Sequence, residues 1–103
     1  MTEQKYEAVM CIVNSGFSEQ VMEAAKKAGA GGGTVMNARG TANKEAETFF
    51  HINIEPEKEI VVIIVSSDIK DDVLKNIYDE VGISTPGKGI AFSLPVDNVV
   101  GIR

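Results

Sequence analysis

The sequence predicts an α+β domain of ferredoxin-like type: a four-stranded antiparallel sheet with two helices on one face, in the order β-α-β-β-α-β. Three observations carry that prediction. Strand-like runs begin near Tyr6, Thr34, Glu59 and Ile90. Two stretches with apolar residues at helical spacing, starting near Ser18 and Asp68, fall between the first and second runs and between the third and fourth. The 103 residues leave room for one domain, 1–103.

Taken in order, Tyr6 to Val13 is apolar at nearly every position and reads as a strand that Asn14-Ser15-Gly16 breaks. Ser18 is a suitable helix N-cap, with Phe17 and Met22 as a hydrophobic staple across it. Val21, Met22 and Ala25 form the expected buried stripe, Glu23 and Lys27 an i,i+4 pair, and Gly29 the stop. Gly31-Gly32-Gly33 reads as a loop and Thr34 to Ala38 as the second strand. From Gly40 to Glu47 the chain is polar and without period, an exposed loop, and Phe49, Phe50, Ile52 and Ile54 suggest a strand-like return. Pro56 marks a turn before Glu59 to Val65, the strongest strand signal of the chain. Asp68 is the expected cap of a second helix with its stripe at Val73, Leu74, Ile77, Tyr78 and Val81 and its end at Gly82. Thr85-Pro86-Gly87-Lys88-Gly89 leads into a strand from Ile90 to Leu94, Pro95 bends the chain, and Val99 to Ile102 is a candidate last strand.

A sheet covered by helices on one face alone should alternate apolar and polar residues. This one does not. Ala8, Met10 and Ile12 stand on one parity of the first strand and Val9, Cys11 and Val13 on the other; Ile60, Val62 and Ile64 oppose Val61, Ile63 and Val65 in the third. Both faces are apolar, so the face without helices needs a cover. A second copy of the same sheet in a closed homo-oligomer is the simplest one, with a packed loop or another protein as the alternatives.

The formal net charge of −5, without any Lys/Arg run, argues against nucleic acid as a partner, because phosphate neutralisation supplies most of that affinity. It argues equally against docking on anionic membranes, though a local basic pocket is compatible with it. The first residues lack the apolar stretch of a signal peptide, and Ile60 to Val65 is too short to span a bilayer, so a cytoplasmic location is expected. The one cysteine, Cys11, sits mid-strand and reads as a buried inert thiol; the one histidine, His51, lacks the spacing of a metal site. No pairing of a nucleophile with a base is evident, so no catalytic residue and no metal ligand is assigned and the chain is not read as an enzyme.

The loops offer binding chemistry instead. Gly87-Lys88-Gly89 could wrap an anion with backbone N–H groups and one ammonium, or simply form a type II turn at Pro86-Gly87. Gly31-Gly32-Gly33 follows a helix C-terminus, where the dipole disfavours phosphate, and suits either a close approach by a flat ring or a flexible connection. Arg39, beside Gly40, could grip a phosphate or pair with a surface carboxylate.

Several segments together resemble the PII signal-transduction family: Gly33-Thr34-Val35 leading to Arg39-Gly40, Pro56 with Lys58 returning into Val61–Val65, Gly87-Lys88-Gly89-Ile90-Ala91-Phe92, and Val99-Val100-Gly101-Ile102-Arg103. The resemblance covers essentially the whole chain. It implies a homotrimer that binds an adenine nucleotide (ATP, ADP or AMP-like) between subunits and regulates a partner protein, a membrane transporter or a nitrogen-metabolism enzyme, through the 40–55 loop. It assigns Thr34 and Val35 to the base, Gly87, Gly89 and Arg103 to the phosphates and Gly40 to the foot of the signalling loop; Lys88 and Arg39 are candidates on their charge and place beside these loops. The chain departs from the family pattern in three places. The loop lacks the family's aspartate and its basic residue is displaced to Lys88; Gly101 stands where the first of two terminal arginines is usual; the 40–55 loop is short and has no counterpart of the family's glutamine or modified tyrosine. Mg-ATP/2-oxoglutarate sensing and uridylylation are therefore not carried over. A trimeric metal-responsive protein of the CutA type, resting on His51, and an acylphosphatase-like hydrolase are the alternative readings of the same fold class.

Overall fold

The computed structural model describes residues 5–41 and 56–102. Strand β1 (Tyr6–Asn14) leads to helix α1 (Ser18–Lys27), then strands β2 (Thr34–Arg39) and β3 (Glu57–Ser66), helix α2 (Lys70–Val81) and strand β4 (Ile90–Val96). The sheet order is β2-β3-β1-β4 with every neighbouring pair antiparallel, which is the ferredoxin-like topology the sequence predicts.

Register decides which parity meets the helices. Val9, Cys11 and Val13 of β1 and Val61, Ile63 and Val65 of β3 are at most 2% exposed and share one core with Val21, Ala24 and Ala25 of α1 and Val73, Ile77 and Val81 of α2. The two helices are tied to each other by Asn76 Nδ2, which donates to the Ala24 carbonyl at 3.1 Å, and by Lys27 with Glu80 at 3.8 Å. Lys27 thus reaches across to α2 and not along its own helix to Glu23.

The opposite face is built from directly paired residues: Met36, Ile60, Ile12 and Ile90 in one row, then Val62, Met10 and Phe92, then Ile64, Ala8 and Leu94. Among the described residues no helix crosses it. Ile90 is 57%, Leu94 48%, Met36 43% and Phe92 39% exposed.

Element ends depart from expectation for local reasons. Helix α1 begins at Ser18 with Phe17 in the cap position, and α2 has Ile69 there; neither has a side-chain cap. The chain enters both helices through tight turns, closed by Phe17 N–H to Asn14 and Ile69 N–H to Ser66. The C-terminus of α1 follows the sequence: Gly29 has φ +105, its N–H donates to Lys26 and that of Ala30 to Ala25, a Schellman closure. Gly82 ends α2 differently, in extended conformation, and a Cβ there would collide with the Tyr78 carbonyl. Tyr78, expected in the stripe, is 63% exposed. Pro95 lies inside β4, where the edge position leaves no partner for a missing N–H. Val99–Ile102 forms no strand: Gly101 takes φ +98 and Val100 stands 99% exposed. Phe49 to Ile54, His51 and Arg103 lie outside the described residues.

Candidate functional site

The candidate residues fall at two ends of the sheet. At the first, β2 runs out at Arg39, β3 starts at Glu57, β1 stops at Asn14, and the loop before β4 folds back beneath them. Asn14 lies directly opposite Lys58 in the β1–β3 ladder and accepts a 2.6 Å hydrogen bond from its ammonium. The Asn14 backbone N–H donates to the Gly87 carbonyl at 2.9 Å, and its Nδ2 to the Pro86 carbonyl at 3.0 Å. Gly40 closes the foot of the intervening segment by donating to the Pro56 carbonyl at 2.7 Å. A Cβ on Gly40 would stand 2.9 Å from Lys58 Cε, so the lysine stem runs beside it. Glu59 is engaged by the Gly16 N–H at 2.8 Å.

This end therefore collects Arg39, Gly40, Lys58, Gly87, Lys88 and Gly89. The ion pairs Lys27–Glu80, Lys70–Asp71 and Lys75–Asp79 lie elsewhere, and among the described residues Arg39, Lys58 and Lys88 join none. The three cations lie along one end of the sheet, with Glu57, the cross-strand partner of Arg39, and Glu59, held by the Gly16 N–H, at the same end.

The loop's own geometry is not the one its glycines suggest. Positive φ falls on Lys88 (+51), not on Gly87 or Gly89, so Pro86-Gly87 is not a type II turn. The N–H groups of Lys88 and Gly89 are spent internally, on Thr85 at 3.0 Å and Val81 at 2.6 Å. What glycine supplies here is close approach. A Cβ on Gly87 would press on Val81 and Phe17, and one on Gly89 would collide with the Val81 carbonyl. The Lys88 side chain is exposed.

At the other end a broad cleft of about 950 Å³ opens between Gly29–Thr34, the open-face side chains Val62 and Ile64, Tyr6, and Gly101–Ile102. Thr34 lines it. Val35 does not: it pairs with Val61 on the opposite parity and faces a separate hollow beside Met22 of α1. Thr34 and not Val35 therefore borders the cleft. From Thr34 to Arg39 is five residues of strand, roughly 17 Å, so one small ligand in one protomer does not touch both ends. Among the described residues no group of three or more His, Cys, Asp or Glu could hold a metal ion, and no helix is long and apolar enough to cross a membrane.

Asn14 was not among the candidates the sequence offers, and Lys58 enters there only as part of a strand return. Their partners lie 44 and 72 positions away from Asn14, so no local pattern marks them.

The profile of the family described as nitrogen regulatory protein P-II matches residues 6–103. Among solved structures, Arabidopsis thaliana PII bound to citrate is 28% identical, covers 98% of this chain and 83% of its own, and superposes with a TM-score of 0.71. The Bacillus subtilis GlnK–ATP complex is 21% identical over 93% of this chain and 85% of its own, with a TM-score of 0.72. A PII-like signalling protein of Thermus thermophilus is 21% identical over 89% and 86%, with a TM-score of 0.68. Among curated proteins no sequence match was found. The profile spans nearly the whole chain, and the sheet order and helix placement agree with it: the chain belongs to the nitrogen regulatory protein P-II family, a family of signalling proteins.

Proposed function

We propose that the chain is an oligomeric sensor that takes a small anionic effector, an adenine nucleotide, in clefts between subunits and signals to a partner protein, a transporter or a nitrogen-metabolism enzyme, through the 40–55 loop. It performs no catalysis. The observation that carries this reading is the end of the sheet where Arg39, Lys58 and Lys88 lie and, among the described residues, join no ion pair, although Glu57 stands opposite Arg39 in the ladder. Two relatives point the same way in their chemistry: GlnK of Bacillus subtilis is a complex with ATP and PII of Arabidopsis thaliana with citrate, both polyanions.

The two ends and the open face support a subunit arrangement with the site between protomers. A nucleotide lying between protomers would set its base in the glycine-walled cleft of one, near Thr34 and the backbone of Val35, and its phosphates against a set of cations. Lys88 and Arg39 belong to that set, with Gly87, Gly89 and Gly40 shaping its floor. Arg103, which the family resemblance gives to the phosphates, lies outside the described residues. Gly31 and Gly32 support the base position: a Cβ on either would meet nothing within 4 Å, so the chain's own packing gives no reason for their bareness. The cover of the open face is assigned to two further copies of the sheet in a homotrimer. Each large apolar side chain taken fully out of water there contributes roughly 1.5–3 kcal/mol.

A thermal-shift panel of ATP, ADP, AMP, cyclic AMP and citrate, with and without Mg²⁺, tests the reading. A ligand at a hundred times its Kd stabilises by about 2.7 kcal/mol. A shift with a nucleotide that Lys88→Ala reduces at least tenfold in affinity is expected. No shift with any of the five would remove the anion-sensor reading.

A further inference from the structure

We propose that Asn14 is a positioning residue that holds Lys58 between two loops, the Pro86–Gly89 turn and the Gly40–Pro56 neck, and so makes an anion taken up by Lys58 felt at both. The inference deepens the anion-sensor reading and rests on it for its ligand. The coupling itself is a property of the unliganded protein.

The chemistry of the amide fixes its orientation. An ammonium can only donate and a carbonyl can only accept, so Asn14 must present Oδ1 to Lys58 and Nδ2 to Pro86. One side chain thereby grips β3 with one atom and the turn before β4 with the other, while its backbone N–H holds Gly87 independently. Neither Asp, with no donor, nor Ala could make both bonds.

Lys58 is half-buried, and the partner it has at its ammonium is neutral. Two of its three donor positions are left for anionic oxygens. Its stem passes beside Gly40, whose N–H closes the neck onto Pro56. A movement of Lys58 toward an anion therefore pulls on Asn14, and through it on the turn, while its stem shifts against Gly40. The shared ligand chemistry is a cluster of anionic oxygens, phosphate or carboxylate.

The test is amide hydrogen exchange on the full chain, read at Gly40 for the neck and Lys88 for the turn, with Ile63 as the core control. Without ligand, Asn14→Ala should speed exchange roughly fivefold at both sites, the loss of about one net hydrogen bond at each. Asn14→Asp keeps the acceptor for Lys58 and loses the donor to Pro86, so it should speed Lys88 alone. A wild-type rate at Gly40 in Asn14→Ala, or equal acceleration of both amides in Asn14→Asp, overturns the coupling. A second arm adds ATP or citrate. Both amides should gain protection in the wild type, only one of them in Asn14→Ala, and the more protective probe tells phosphate from carboxylate. Matching protection in wild type and variant overturns the proposal. If neither probe protects the wild type, the anion reading fails while the unliganded arm still decides the coupling.

Discussion

The two faces of the sheet are made of the same strands and nearly the same residue types, yet they end in different states. On the helix side, Val9, Cys11, Val13, Val61 and Ile63 are fully buried in a closed core. On the other side, Met10, Ile12, Val62 and Ile64 are just as apolar and only half-covered, and the outer strands leave Met36, Ile90, Phe92 and Leu94 between 39% and 57% exposed. A monomer gains nothing from an apolar row facing water, since polar residues at those positions would cost no packing. The difference teaches that the fold of one chain uses only one parity of its hydrophobic pattern; the other is left for a cover, which the proposed trimer would supply. The polar pair Asn14 and Lys58 interrupts the open face at one end only, where its ladder meets the loops. The proposed site and the proposed subunit interface would then share one surface.

The largest effect expected is on the open face. Val62→Asp places a carboxylate at the centre of that surface, and burying it unpaired costs several kcal/mol. Sedimentation should show a homotrimer for the wild type and a monomer for the variant across the micromolar range, with far-ultraviolet circular dichroism unchanged. A wild type that sediments as a monomer at those concentrations breaks the comparison, because the open face would then have no need of its own kind.

Next comes the neighbouring residue on the other parity. Ile63→Ala opens a cavity in the closed core and should destabilise by about 2–5 kcal/mol. Chemical denaturation at several protein concentrations separates the two faces. For Ile63→Ala the loss should be the same at each concentration once the wild-type dependence is subtracted, whereas Val62→Ala should lose more as the protein is diluted. Identical concentration dependence for the two would show that the parities are not functionally distinct.

This division was legible in the sequence, because strand parity is a local property: a run such as Ile60–Val65 declares two apolar faces without any knowledge of its neighbours. Gly29 as a helix stop was legible for the same reason. The helix starts were not. Ser18 and Asp68 have the right chemistry for a cap, but the tight turns at Asn14–Phe17 and Ser66–Ile69 put Phe17 and Ile69 in the cap positions. The end of the chain misled in another way. Val99-Val100 is strand-like in composition, and only the left-handed Gly101 shows that it does not continue as one. The basic end was half legible. Lys88 announces itself between two glycines, while Lys58 gains meaning only when the fold sets Asn14 across from it.

The smallest effect expected sharpens the buried face through its one thiol. Burial without any polar partner pushes Cys11 up to about 11 from the ordinary value of 9.0. Below about pH 9 the thiol is protonated in both folded and unfolded chains, and this contribution to stability is fully present. Between 9 and 11 the unfolded chain releases the proton and the fold retains it, so stability falls as pH rises. At 1.36 kcal/mol per pH unit the loss is about 2.3 kcal/mol at pH 11 and levels off at about 2.7 kcal/mol above it. The informative quantity is the difference from Cys11→Ala, in which contributions common to the two proteins cancel. That variant should start less stable at pH 8 and then lose less on the way to pH 11. Parallel curves for the two proteins would mean that the thiol ionises without opposition from its surroundings, and that the helix-covered face is more open to water than the 0% exposure of Cys11 indicates.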